Sequence, residues 1–184
     1  MTTHLVNMRW KSEKKMDTFK RIKILIGGAV DEGKSTLLGR LLYDTKQLKE
    51  DQIKQCITPD GIDFSLCNDG LKDEQLQKIT IDLANKYIHT NNGILHLLDC
   101  PGHAAFIDRF CSAASQADAA ILVYDLSKPD QLDRLDHLLI ILKSYQLTQV
   151  IICLTKSDLV SIKTVKQIKA SLFKYLTQKF ENYF

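Results

Sequence analysis

"GGAVDEGKSTLLGRLLYDTKQL", residues 27–48, follows directly on the apolar run "IKILI" at 22–26. An apolar run entering glycines and leaving as a helix-forming stretch is the signature of a buried strand, a tight loop and a helix. Gly28, Gly33, Lys34 and Ser35 occupy the fixed positions of G-x-x-x-x-G-K-[ST]. Glycine is needed there because backbone N–H groups must turn inward around phosphate oxygens with no side chain in the way. The cradle predicted on this basis runs through Gly28, Ala29, Val30, Asp31, Glu32, Gly33, Lys34, Ser35 and Thr36. Lys34 brings a positive charge between the outer phosphates, and the Ser35 hydroxyl is placed for magnesium. The helix that follows points its positive end at the anion. The glycine spacing of a dinucleotide fingerprint is absent.

Strands alternate with helices on both sides of this loop. Working outward, "IDLANKYIHT" and "GILHLLD" form a hairpin about Asn91-Asn92-Gly93. A helix is predicted at 104–116, a strand at 119–125, and a helix opening with Ser127 as cap and Pro129 in its first turn. Leu132, Leu135, Leu138, Leu139 and Leu142 give that helix one apolar face. "QVIICLT" is a further buried strand, and a helix at 161–181 follows. Between Thr45 and Lys78 the pattern is mixed, with turn signals at "TPDG" and "CNDG". Such alternation predicts an α/β fold with a mostly parallel central sheet and helices on both faces. Ligands of such sheets sit beyond the carboxyl ends of the strands.

Composition agrees with a globular domain of this kind. The 184 residues are 45% hydrophobic and 26% charged, with a net charge of +3, too little to imply nucleic-acid binding. Residues 1–23 carry seven Lys/Arg against two acids and read as a flexible polar arm over 1–18, ahead of the main domain at 19–184. The five cysteines show no zinc spacing, and a reduced, cytoplasmic setting is expected for them. No signal peptide or membrane span is read from the sequence.

Two more strand ends carry chemistry. "ILHLLDCPGH", 94–103, delivers Asp99 to the same rim, where a carboxylate suits magnesium, and Gly102 can offer its N–H to a third phosphate. "TKSD", 155–158, follows the last strand. There Asp158 can accept the N1 and N2 hydrogens of guanine, a pair adenine lacks, while Lys156 lays its methylene stem along the base.

Together, "VDEGKSTL" and "DCPGH" resemble the GTPase domains of the translation-factor superfamily, of the P-loop NTPase fold. Over about 20–180, "GGAVDEGKSTLLGRLLYDTKQLKEDQ", "DGLKDEQLQKITID" and "DCPGH" resemble more narrowly the large, GTPase subunit of bacterial ATP sulfurylase (sulfate adenylyltransferase subunit 1). That resemblance implies binding of GTP, GDP and Mg2+, hydrolysis of GTP, and a small catalytic subunit as partner, with no nucleic acid or membrane. It implies that Lys34 and Ser35 hold phosphate and metal, that Thr80 closes on the metal as the first-switch threonine, and that His103 orients the attacking water. Three departures stand out. Thr155 replaces the family's asparagine at the base, and Lys78-Ile79-Thr80 replaces Gly-Ile-Thr. The last strand and helix of the GTPase domain, with its Ser-Ala loop, have no counterpart, which predicts an open sheet edge. Besides a GTPase, the pattern admits a nucleotide-binding module with little turnover that acts through a partner. A P-loop kinase is disfavoured, since it has no use for "DCPGH" and "TKSD" together.

Overall fold

The structure, a computed structural model, describes residues 4–9, 21–67, 83–128 and 132–180. Its centre is a six-stranded sheet. The strands are β1 (His4–Arg9), β2 (Arg21–Gly27), β5 (Ala84–Thr90), β6 (Gly93–Asp99), β7 (Ala119–Asp125) and β8 (Gln149–Thr155). In space they run β1-β8-β7-β2-β6-β5. The inner four, β8, β7, β2 and β6, are parallel, while β5 and β1 close the two edges antiparallel. β5 and β6 join through the two-residue turn Asn91-Asn92, with Thr90 opposite Gly93, as the turn signal predicts.

The helices cover both faces. On one side α1 (Lys34–Asp44) packs Leu38 and Leu42 onto Ile26, Ile88 and Leu97. On the other, α3 (Ile107–Ala114), α4 (Leu132–Ser144) and α5 (Ile162–Phe180) bury Phe110, Leu139 and Leu172 against Leu25, Leu122 and Ile152. Strict alternation along the strands makes this division. Leu25 faces one layer and its neighbour Ile26 the other, each fully buried. A short 3-10 turn, Ala104–Phe106, precedes α3, so the helix predicted at 104–116 forms in two pieces. Among the described residues no helix is long and apolar enough to cross a membrane.

Three expectations are corrected. His4–Arg9, within the stretch read as a flexible arm, forms β1, its residues registered from His4 opposite Leu154 to Arg9 opposite Gln149. The edge expected to lie open beside β8 is therefore filled, because β8's unpaired N–H and C=O groups accept any extended segment that reaches them. The N–H and hydroxyl of Ser127 both bond to Asp125; the helix expected to open there, α4, is described from Leu132, and Pro129 lies outside the described residues.

The cysteines are the third correction. Cys56 and Cys67 are joined by a disulfide, while Cys100, Cys111 and Cys153 are free. Cys56 ends α2 (Glu50–Cys56), and a small hairpin of β3 (Ile57–Thr58) and β4 (Gly61–Ile62) folds the chain back. The turn brings the two Cα atoms to 5.4 Å, within bonding reach for a disulfide.

Candidate functional site

β2, β6, β7 and β8 end on one rim, and each delivers a different part. β2 runs into loop 28–33, whose backbone turns through positive φ at Gly28 (151°), Asp31 (62°) and Gly33 (92°). Among the described residues, no carbonyl or side chain takes up the N–H groups of Val30 to Ser35. Successive amides left unbonded at the start of a helix are what an anion-binding concavity offers. Gly28, Ala29, Glu32 and Lys34 are buried, and Val30, Gly33, Ser35 and Thr36 are half-buried.

Two side chains brace the loop from inside. The buried Glu32 carboxylate accepts the Ala29 N–H, and burial pushes its pKa above the ordinary carboxylate range. The Lys34 ammonium donates to the Gly28 carbonyl at 3.0 Å and the Ala29 carbonyl at 2.7 Å. Burial pulls the Lys34 pKa down, and the charge of Asp99 acts against it. Asp99, 1% exposed at the end of β6, pairs in register with Ile26 and so stands beside the loop.

Gly102 closes the far side. A Cβ built there would lie 2.4 Å from Lys34 Nζ and 2.7 Å from the Ala29–Val30 peptide, so only glycine fits. Its carbonyl accepts a hydrogen bond from Arg134 Nη2, on the first turn of α4. His103 is exposed on the rim. Its Nδ1 accepts the Ala105 N–H at 3.2 Å, capping the 3-10 turn, and its ring meets Phe106 edge-on at 6.1 Å. With Nδ1 engaged as acceptor, Nε2 of the neutral ring carries the hydrogen.

β8 brings the third part. Thr155, expected at the base, donates its hydroxyl to the Glu32 carbonyl at 2.7 Å and lies 3.2 Å from the Tyr124 carbonyl. It ties the end of β8 to loop 28–33. Lys156 takes φ 55° and pairs with Asp125 at 2.7 Å. Asp158 is exposed on the turn Ser157–Leu159. Thr80 lies outside the described residues, so the first switch is not placed.

Two members of the site escape sequence reading. Asp125 ends β7 as Asp99 ends β6, and that parallel was the available signal. Arg134 has no local signal, since 32 positions separate it from its partner.

Asp125 has an expected pH signature. Burial raises its pKa, but bonds from Lys156 and Ser127 outweigh this and hold the carboxyl below its usual range. A depressed carboxylate contributes stability that is present above its unfolded pKa, about 3.9, and lost as pH falls through the folded value. Asp125→Asn should therefore cost about 2 kcal/mol at neutral pH, from breaking a largely buried pair. The gap in melting temperature between wild type and variant should hold down to about pH 5 and narrow below about pH 4. A gap independent of pH would refute the ion pair.

The comparisons agree with this geometry. Residues 20–183 match the family model of the elongation factor Tu GTP-binding domain. Elongation factor 1-alpha of Archaeoglobus fulgidus is 36% identical over 151 residues, which are 77% of this chain and 35% of that protein. Sulfate adenylyltransferase subunit 1 of Erwinia tasmaniensis is 35% identical over 167 residues, 85% of this chain and 35% of that protein. The chain thus spans about a third of the length of these relatives. Among solved structures, a bacterial selenocysteine-specific elongation factor superposes with a TM-score of 0.64 at 26% identity, covering 88% of this chain and 24% of that one. With the matched region taking in nearly the whole sheet and all three strand-end loops, the chain belongs to the elongation factor Tu GTP-binding domain family.

Proposed function

We propose that this chain binds GTP and GDP with magnesium and hydrolyses GTP, as the GTPase unit of a sulfate-activating enzyme whose small subunit carries the adenylyl transfer. The observation that carries the reading is the concavity of N–H groups from Val30 to Ser35, with the Lys34 ammonium and Asp99 at its edge. Those amides and Lys34 hold the phosphates. Asp158, exposed beyond β8, accepts the paired N–H groups of guanine. The narrower assignment rests on the "GRLLYDTKQ" stretch and on relatives named sulfate adenylyltransferase subunit 1 at 34–41% identity.

The residues suit magnesium. Ser35 and Asp99 are hard oxygen donors, and among the described residues no group of three or more His, Cys, Asp or Glu forms a metal cage. Mg2+ needs no such cage, since it keeps waters and is shared with substrate phosphates. When bound, the ion neutralises charge on the outer phosphates. The chain's own residues do the rest. The loop fixes the phosphates, Gly102 offers its N–H to the third, Thr80 closes over it, and His103 orients water by donating from Nε2. Phosphoryl transfer asks the protein for placement and charge stabilisation, with little covalent chemistry.

His103→Ala tests the reading. The rate of phosphate release from GTP should fall about a hundredfold, as for loss of a group positioning the nucleophile. GTP and GDP affinities should stay within about threefold, because His103 lies outside the phosphate cradle. Purified protein that binds guanine nucleotides without releasing phosphate would favour a binding module acting through its partner. A preference for ADP over GDP would overturn the guanine assignment.

A further inference from the structure

Arg134 does something that the phosphate chemistry does not require. Its guanidinium crosses from the first turn of α4 to the carbonyl of Gly102. Gly102 is buried, and so close to the loop that no methyl group fits between it and Lys34 Nζ or the Ala29–Val30 peptide. In the same arrangement two of the three Lys34 protons are engaged by the Gly28 and Ala29 carbonyls. A third phosphate, lying between the Lys34 ammonium and the Gly102 N–H, needs space that a single methyl lacks. To admit it, Gly102 must withdraw from the loop. A diphosphate makes no such demand.

We infer that Arg134 is a positioning residue for the Gly102 loop, a latch that holds Gly102 down on the phosphate loop and so favours diphosphate over triphosphate. The inference rests on the GTPase reading for its nucleotides, and the contact it names is internal to the chain. Arg134 is half-buried, its partner is a backbone carbonyl, and its charge also reaches Glu32 and Lys34. A charged donor to a buried carbonyl is the stronger sort of hydrogen bond, and losing it frees the loop to lift.

Two effects of removing Arg134 point in opposite directions, which makes the test sharp. As a latch, its loss raises triphosphate affinity relative to diphosphate. As a mere positive charge near the site, its loss weakens the more highly charged triphosphate further, and the ratio falls. Affinities of GTP, as a non-hydrolysable analogue, and of GDP are measured for wild type, Arg134→Ala, Arg134→Gln and Arg134→Lys. The ratio of triphosphate to diphosphate affinity is expected to rise about tenfold in Arg134→Ala. It should return toward the wild-type value in Arg134→Lys, which keeps a charged donor. An unchanged or lower ratio in Arg134→Ala and Arg134→Gln overturns the latch.

Amide hydrogen exchange of the nucleotide-free protein decides the matter independently of any ligand. The peptide covering 100–106 is expected to exchange about tenfold faster in Arg134→Ala than in wild type, with the β2 and β7 peptides unchanged. Equal exchange at 100–106 overturns the latch even if the nucleotides behave as expected. Should wild type bind neither nucleotide, the GTPase reading falls, and the exchange rates still decide the latch.

Discussion

Lys34→Met should abolish useful nucleotide binding while leaving the fold intact. The Lys34 side chain is buried against the Gly28 and Ala29 carbonyls, with Asp99 as its strongest opposing charge. Exchanging the ammonium for a thioether keeps the volume and removes every charged bond the site can offer a phosphate from that position. Charge-assisted bonds of this kind are worth about 1.5–3 kcal/mol, so GTP and GDP should each bind about a hundredfold more weakly. Stability should move little, for a reason visible in the titration. Burial holds the Lys34 pKa below its ordinary value, so keeping this group charged in the folded state costs free energy that the unfolded chain does not bear. Methionine relieves that cost, and Asp99 loses a neighbouring cation in return. The two should offset to within about 1 kcal/mol, about 2–4 °C in melting temperature for a chain of this length. Binding lost with melting kept is the mark of a residue held for function against stability. The measurements are calorimetric titration with GDP and a thermal melt on the same sample. Affinity within threefold of wild type would leave the site without its central cation and the reading without support.

How far this was readable from the chain depends on how local each signal is. The strand, loop and helix of 21–44 follow from consecutive residues, and so does the Asn91-Asn92 hairpin. Asp99 is placed by the strand that ends on it. What stayed hidden is set by contacts between distant segments. The bond from the Thr155 hydroxyl to the Glu32 carbonyl, 2.7 Å long, joins residues 123 positions apart. "HLVNMR" has no clear period of its own and becomes β1 because β8 offers an unpaired edge. The Cys56–Cys67 bond depends on a two-residue hairpin that brings the thiols together. Arg134 is legible only once α4 is seen to cross above Gly102.

Gly39 belongs to the same hidden class and carries the largest expected effect on stability. A glycine in the middle of α1 looks like a weak point, and helix propensity alone predicts that Gly39→Ala would stabilise by about 1 kcal/mol. Packing reverses the sign. A Cβ at this position would lie 1.8 Å from the Phe64 carbonyl oxygen and 2.8 Å from its carbon, with Cys67 Cβ at 3.3 Å. The obstacle is backbone, so rotation of a side chain cannot relieve it. Segment 63–67 must move off the helix, taking the Phe64 ring away from Tyr43, 5.4 Å centroid to centroid, and from Arg40, 5.2 Å above it. Cys67 is tethered to Cys56, which limits how far the segment can shift. Overpacking of this severity should outweigh the propensity gain and leave Gly39→Ala about 2–3 kcal/mol less stable, a fall of roughly 5–10 °C in melting temperature. Phe64→Ala should lose less, about 1 kcal/mol, because that ring is half-buried. It should not rescue Gly39→Ala, since the clash is with the carbonyl and remains. A Gly39→Ala protein that melts at or above wild type would mean that segment 63–67 does not sit on α1. The helix that carries Lys34 and Ser35 would then have lost its clamp on the chain leading toward Thr80.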